Sequence, residues 1–357
     1  MLHAVIMAGG TGTRFWPASR RHLPKQLLTL ATETPLLRMT FERLGDLVPV
    51  DRVWVVTTKE TAEATRDVLP ELPAENTLSE PMGRNTAACA GLAACVTQKV
   101  DPEAVCIVLP ADHVIGEEAR FRAAMAAGAE FVSREGGLLT FGVRPTRPET
   151  GYGYLELGPE HTHEGEWSVH RLRGFVEKPD VDHARTYLKS GRHLWNAGIF
   201  AWKATTLLEE IRRQIPDLAS GLDRIGKALG TDEFDAVLSQ VYPSLPSISL
   251  DFGIMEGAGR LWTVPVDFPW SDVGSWSALA ETLAPDAANN TVRGRVQAID
   301  AGDNVLVSTG PVISVVGLDD VVVVATPDAV LVVSKDQAQR VKEVVEALHE
   351  KGWDDVL

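Results

Sequence analysis

The sequence is short of several things at once, and each shortage excludes a class of protein. It has only three cysteines, Cys89, Cys95 and Cys106. Their number is odd, their surroundings are apolar and none stands in C-x-x-C spacing, which excludes a disulfide framework and a cysteine zinc site and points to buried thiols in a reducing compartment. No apolar run approaches the roughly 18 residues of a membrane span. No cationic segment followed by an apolar stretch opens the chain, so a cytoplasmic protein without a membrane partner is expected. Positive charge is in the minority: 34 Lys and Arg against 49 Asp and Glu leave a formal net charge of −15, which argues against a nucleic-acid partner.

What is present is the composition of a globular protein, 45% hydrophobic and 23% charged over 357 residues, long enough for one large domain and a smaller appendage. His3 to Met7, Val53 to Thr57 and Ala104 to Leu109 read as short buried strands. Between and after them lie helical stretches: one opened by Thr34-Pro35, the alanine-rich run Arg84 to Gln98, and Phe121 to Arg134, followed by a strand at Leu138 to Val143. This alternation predicts a parallel sheet with helices on both faces, with ligands beyond the carboxyl ends of its strands. Gly151 to Leu157, Val169 to Val176 and Ile199 to Lys203 read as strands of a mixed extension.

From about Asn289 the texture changes to short β-rich pieces punctuated by Gly, Asp and Pro, which suggests a small β-solenoid or β-sandwich, with domains at 1–285 and 286–357. Ser334 and Gln337 have the spacing of a capping box for a final helix whose Val341, Val344, Val345 and Leu348 form one packing stripe. The apolar runs Val321 to Val324 and Val330 to Val333 need cover, and a homodimer through this segment is expected.

The stretch after the first strand, MAGGTGTRFWPASRRHLPKQLL, concentrates glycine and fixed positive charge. A dinucleotide fingerprint fails because Phe15 stands at its third glycine position, and a Walker loop is absent. What remains is a Gly-rich loop, Ala8-Gly9-Gly10-Thr11-Gly12-Thr13, ending in Arg14 and followed by Lys25. Glycines let main-chain N–H groups approach a polyphosphate, and the two cations would sit where negative charge develops.

That stretch resembles the signature of the mannose-1-phosphate guanylyltransferases (GDP-mannose pyrophosphorylases), within the sugar-phosphate nucleotidylyltransferases. The motifs PMGRNTA (Pro81 to Ala87), LPADH (Leu109 to His113), FVEKP (Phe175 to Pro179), LWNAGIF (Leu194 to Phe200) and WSDVGSW (Trp270 to Trp276) follow in the family's order. The resemblance implies a Rossmann-like α/β nucleotidyltransferase fold of GT-A type, with a mixed sheet flanked by helices and a small β-helix-like C-terminal domain. It implies attack by mannose 1-phosphate on the α-phosphorus of GTP. Asp112 and Asp272 match the family's positions for Mg²⁺, a hard cation that takes oxygen ligands. His113 is expected to orient its loop. Lys178 resembles the residue that binds the sugar phosphate, with Glu177, Asn196 and Gly151 around the hexose. Base choice is expected in Glu80, Pro81, Arg84, Asn85 and Thr86, where a carboxylate or carbonyl can accept from guanine N1–H and N2–H₂.

One departure is visible, since DFGIMEG (Asp251 to Gly257) has glycine where the family carries lysine. The chain also resembles the family's shorter, single-activity members. A nucleotidylyltransferase for another sugar 1-phosphate and nucleotide pair, or a non-catalytic relative that senses nucleotide sugar, are the other readings.

Overall fold

The computed structural model describes residues 1–357. The strands of roughly the first three-quarters of the chain are β1 (Leu2–Met7), β2 (Val53–Thr58), β3 (Thr77–Glu80), β4 (Val105–Pro110), β5 (Val114–Ile115), β6 (Leu138–Val143), β7 (Tyr154–Glu164), β8 (Trp167–Val176), β9 (His193–Lys203), β10 (Leu261–Val266) and β11 (Trp270–Ser271). The accompanying helices are α1 (Leu36–Arg43), α2 (Ala62–Val68), α3 (Asn85–Val100), α4 (Glu118–Glu135), α5 (Val181–Ser190), α6 (Ala204–Gln214), α7 (Pro216–Ala228) and α8 (Phe234–Val241). The chain divides into two compact units, neither continuous in sequence. The first takes Met1–Gly9, Thr40–Ala111 and Ile115–Trp270; the second takes Gly10–Met39, Asp112–Val114 and Ser271–Leu357.

The first unit is built on a nine-stranded sheet of order β3-β2-β1-β4-β9-β6-β10-β8-β7, in which β7 also pairs with β9. The strands β3, β2, β1 and β4 are parallel, as the alternation predicts. From β9 onward the sheet is mixed, β4 and β6 both running antiparallel to β9. Ala4, Val5 and Ile6 of β1 are almost wholly buried, so both faces of this strand are covered and it reads as a continuous apolar run. In α3 the run Ala87 to Ala94 is buried throughout, and small side chains let the helix press close to its neighbours. Because β2 and β4 lie on opposite sides of β1, the order reverses there, and ligands in such sheets bind beyond the carboxyl ends at that point. Met7 and Pro110, the last residues of β1 and β4, are register partners.

The second unit has a coiled β architecture. The strands β12 (Thr291–Arg293), β14 (Val305–Ser308), β16 (Val321–Ala325) and β17 (Val330–Ser334) form one sheet, and β13 (Val296–Ile299) pairs with β15 (Ile313–Val316). The pairs β12–β14, β14–β16 and β13–β15 are parallel, so the chain climbs one rung per coil. Buried asparagines fix the corner between rungs: Asn290 Oδ1 accepts from the Asn304 N–H at 3.1 Å, and Asn304 Oδ1 accepts from the Val321 N–H at 2.9 Å. A β-helix-like domain is therefore what the punctuated β texture encodes. Its core joins Val305, Val307, Val322 and Val324 to Phe15, Trp16, Leu28 and Leu30 of the Gly-rich stretch and to Trp276 at the start of α9 (Trp276–Ala280).

Two local expectations resolve differently. The final helix α10 (Val341–Glu350) packs through Val341, Val344, Val345 and Leu348 as its periodicity predicts. The capping box does not form. A short 3₁₀ helix, Lys335–Arg340, intervenes before α10, and the Ser334 hydroxyl and the Gln337 amide both donate to Asp336. The aspartate between them is the nearer acceptor and takes both donors. No helix is long and apolar enough to cross a membrane.

Candidate functional site

Three clusters carry the residues singled out by the sequence, one in the second unit and two in the first. In the second unit, Gly12 has φ +63, and a Cβ there would collide with the Cβ of Lys25. Both the backbone angle and the close approach require glycine. Gly12 opens a single 3₁₀ turn, Thr13–Phe15, which leaves Arg14 exposed and buries Phe15 beneath Trp276 at a centroid distance of 4.9 Å. Gly10 and Thr11 are exposed.

Lys25 is only 5% exposed. Its Nζ donates to Asp112 Oδ2 at 2.8 Å and to the main-chain carbonyl of Asp272 at 2.6 Å, and stands 5.6 Å from the Phe15 ring centroid. A buried ammonium is costly unless it is paired and hydrogen-bonded, and here it is both. One side chain thus ties together the loops that carry the two aspartates. Burial acts to raise the Asp112 carboxyl, but the charges of Lys25 and His113 outweigh it and hold the group below its ordinary value. His113 Nε2 lies 3.9 Å from Asp112 Oδ1.

Asp272 sits in a strained turn. Val273 has φ +44, a region that β-branched residues seldom enter, at a cost on the order of 1–3 kcal/mol. Its side chain is fully buried in the second unit's core, which offsets that cost. The carboxylate of Asp272 accepts from the Gly274 N–H at 3.1 Å. Two carboxylates, one of them kept ionised by a lysine, are a suitable hard-oxygen donor set for Mg²⁺, which commonly takes one or two protein carboxylates and completes its shell with water and substrate phosphate.

In the first unit, Glu80 at the end of β3 is 2% exposed. One carboxyl oxygen accepts the hydroxyl hydrogen of Tyr242, and the other lies 3.0 Å from where a Cβ on Gly9 would stand. Burial pushes Glu80 up to about 7, although the Tyr242 hydrogen bond works the other way. The loop that follows is pinned. Arg84 donates to the Pro243 carbonyl, Asn85 (φ +61) accepts from the Thr86 N–H at 2.8 Å, and Thr86 Oγ1 accepts from the Leu250 N–H at 2.7 Å. Pro81 is half-buried beside them, and Ala8 donates from its N–H to the Val56 carbonyl at 2.7 Å. Arg84 and Thr86 therefore hold this loop in place.

The second cluster of the first unit gathers Asn196, Glu177, Lys178 and a residue that sequence reasoning did not single out, Asp251. Asn196 Oδ1 accepts from Thr140 Oγ1 at 2.7 Å and from the Gly198 N–H at 3.2 Å, while its Nδ2 donates to Asp251 at 2.8 Å. The carbonyl side of this amide is fully used, so only one amide hydrogen is left for a ligand. Burial, reinforced by the charge of Glu177, raises Asp251 to about 6. Lys178 has φ +48, is largely exposed, and pairs with Glu177 at 2.9 Å.

The glycine that makes room in this cluster is Gly153, where a Cβ would lie 2.7 Å from Glu177 Oε2. Gly151 is exposed and donates from its N–H to Glu149 at 3.0 Å. At Gly257, a Cβ would collide with the Gln214 side-chain oxygen, and the Gly257 carbonyl accepts from Arg213 at 2.6 Å. The place a lysine side chain would leave from is taken up by these neighbours. Trp195 and Trp276 are core residues, Trp195 meeting Tyr152 edge-on. The letters around Tyr242 carry no signal of its contact with Glu80, whereas Asp251 stands in the motif DFGIMEG, which marks its position in the sequence.

Residues 3–289 match the nucleotidyl transferase family model, and residues 294–348 match the mannose-phosphate isomerase/GMP-like β-helix domain. The chain is 37% identical over 350 residues to the mannose-1-phosphate guanylyltransferase RfbM of Salmonella typhimurium, an alignment covering 96% of this chain and 72% of that protein. It is 36% identical over 356 residues to a mannose-1-phosphate guanylyltransferase of Escherichia coli K12, covering 98% of this chain and 74% of the relative. A crystal structure from Thermus thermophilus, described as a mannose-1-phosphate geranyltransferase, superposes with a TM-score of 0.86 at 39% identity over 98% of this chain and 99% of that one.

Proposed function

We propose that this chain, which belongs to the nucleotidyl transferase family and within it to the mannose-1-phosphate guanylyltransferases, transfers GMP from GTP to α-D-mannose 1-phosphate. A phosphate oxygen of mannose 1-phosphate attacks the α-phosphorus of GTP, the bond to the β-phosphate oxygen breaks in line, and GDP-mannose and pyrophosphate leave. The nucleophile is already an anion, so no strong base is needed, and positioning with charge neutralisation supplies the rate. The observation that carries this reading is the Lys25 ammonium bound at once to Asp112 and to the Asp272 carbonyl.

Each residue then has a task. Asp112 and Asp272 would hold Mg²⁺, which when bound supplies charge neutralisation on the phosphates. Lys25 fixes the two aspartate loops, and Arg14, exposed beside the glycines, binds a phosphate oxygen of GTP. Main-chain N–H groups of residues 8–13 contribute further donors. Glu80, oriented by Tyr242, accepts from guanine in its ionised form. Lys178 takes the phosphate of mannose 1-phosphate, and Glu177 and Asn196 take sugar hydroxyls.

The family model ending at 289 supports a catalytic domain close to 1–285, followed by the β-rich domain 286–357. The protein acts in the cytoplasm, where GTP is made and used, and pairs with a second copy through β17. Val330 and Val332 on that strand are 59% and 64% exposed, leaving an apolar face that needs cover. Lysine at both positions should convert a dimer into a monomer in light scattering; a wild-type monomer rejects this part of the reading.

The deciding assay is pyrophosphate release with Mg²⁺ across GTP, ATP, UTP and dTTP, each with mannose 1-phosphate and with glucose 1-phosphate. Preference for GTP with mannose 1-phosphate supports the reading. Preference for another pair overturns the specificity, and tight nucleotide-sugar binding without turnover makes the chain a sensor.

A further inference from the structure

We propose that the segment Trp353–Leu357 holds the Gly-rich loop in its working shape, so that Val356 and Leu357 are positioning residues for Lys25. This rests on the reading that the loop handles the phosphates of GTP. The contact lies 340 positions apart in sequence: Trp16 Nε1 donates to the Val356 carbonyl at 2.8 Å. Leu357, 8% exposed, belongs to the same core cluster as Phe15, Trp16 and Trp276. The Trp276 indole in turn donates to the Trp16 carbonyl at 3.2 Å. Trp16 is thus held through its side chain by one segment and through its backbone by another.

The adjacent residue, Phe15, passes this constraint to the site. Its ring lies 5.6 Å from the Lys25 ammonium, and Lys25 bears directly on Gly12. The chain of contacts runs from Val356 and Leu357 to Trp16 and Phe15, then to Lys25 and the loops of Asp112 and Asp272. All of it lies within the second unit.

The loop and the C-terminal segment do not meet along their whole length, and Leu357 and Trp16 stand at the edge of the gap between them. A cleft of about 250 Å³ lies beside Thr11 and Thr13, lined also by Trp16, Arg21, Val345 and His349. Thr11 and Thr13 border this cleft, while Phe15 and Trp16 just after them are packed in the core, so the position of the loop's exposed part follows from how those two rings are held. A second anchor, Arg21 to Asp354 at 2.9 Å, is about half-exposed at both ends. Solvent and salt screen an exposed pair of this kind, and it contributes less than the burial of a leucine side chain. Arg20 pairs with Asp328 at 3.0 Å and fastens the stretch further along, so the indole hydrogen bond and Leu357 are the contacts of the C-terminal segment that bear on Phe15 and Trp16 directly.

The test uses the full chain with Trp16→Phe, which removes the indole N–H and keeps an aromatic ring, and Leu357→Ala, with Leu357→Met as the conservative replacement. Kinetics of pyrophosphate release should show KM for GTP rising about fivefold in both variants, with KM for mannose 1-phosphate within about twofold of wild type and recovery in Leu357→Met. Amide hydrogen exchange of residues 10–28 should quicken in the same two variants. Unchanged KM for GTP and unchanged exchange overturn the inference, as does a shift of both KM values in step with Tm. A wild-type protein inactive with every substrate pair instead overturns the functional reading, and exchange of residues 10–28 then decides the inference alone.

Discussion

Lys25 and Asp112, 87 residues apart in sequence, meet at 2.8 Å, and the same ammonium reaches the Asp272 carbonyl at 2.6 Å. Removing the charge should release both loops at once. Lys25→Met is expected to lower turnover about 10²–10³-fold, the loss typical of one preorganised donor. Lys25→Arg should not restore it, because a planar fork does not reproduce a compact ammonium in a buried slot. Steady-state pyrophosphate release checks both, and wild-type rates in Lys25→Met would remove the lysine from the mechanism.

Asp112→Asn keeps the shape of the side chain but removes the anion. Turnover should fall by a factor of at least about 10² at fixed Mg²⁺, with the circular dichroism spectrum unchanged. Near-normal rates at saturating Mg²⁺ would mean that Asp112 does not hold the metal.

Glu80 links stability to pH. Its folded-state value of about 7 lies above the ordinary 4.5, so the folded chain holds this proton more firmly than the unfolded one. Below pH 4.5 both states are protonated and the group is neutral in effect. As pH rises from 4.5 through 7, ionisation costs the folded state up to about 3 kcal/mol. Glu80→Gln should therefore raise Tm relative to wild type at about pH 8 and leave it nearly unchanged at about pH 4, while weakening GTP binding. Equal Tm shifts at both pH values would contradict the buried carboxyl.

Tyr242→Phe takes away the hydroxyl that favours the ionised carboxyl, and Glu80 should move further up. KM for GTP is expected to rise several-fold at about pH 7 and to return toward wild type at about pH 9. A pH-independent change would point to lost packing.

Lys178→Ala and Asp251→Ala should act on the sugar phosphate. The first removes a phosphate partner and the second the anchor of the Asn196 amide. Each is expected to raise KM for mannose 1-phosphate about tenfold, ~1.4 kcal/mol, with KM for GTP little changed. Because burial and Glu177 raise Asp251 to about 6, affinity for the sugar phosphate should fall more steeply below pH 6 in wild type than in Asp251→Ala, where only the substrate phosphate titrates there. An effect confined to GTP would put either residue on the wrong substrate.

The four buried strands and three helical stretches expected through Val143 and the β-rich character of the segment from about Asn289 are legible in the letters, because periodicity and glycine act over a few neighbours, whereas the short elements at Ala62–Val68, Thr77–Glu80 and Val114–Ile115 are not. The motifs LPADH and WSDVGSW, which carry Asp112 and Asp272, can be read directly because a motif is itself local. Pairing across long separations cannot. That Gly10–Met39 packs with Ser271–Leu357, that Lys25 directs its charge to two aspartate loops, that Tyr242 meets Glu80 and that Asp251 anchors Asn196 all depend on which buried groups find partners. Local sequence sets what each segment prefers. The need to cover apolar faces and to satisfy buried charges and hydrogen bonds decides which segments meet, and only the folded chain as a whole meets that condition.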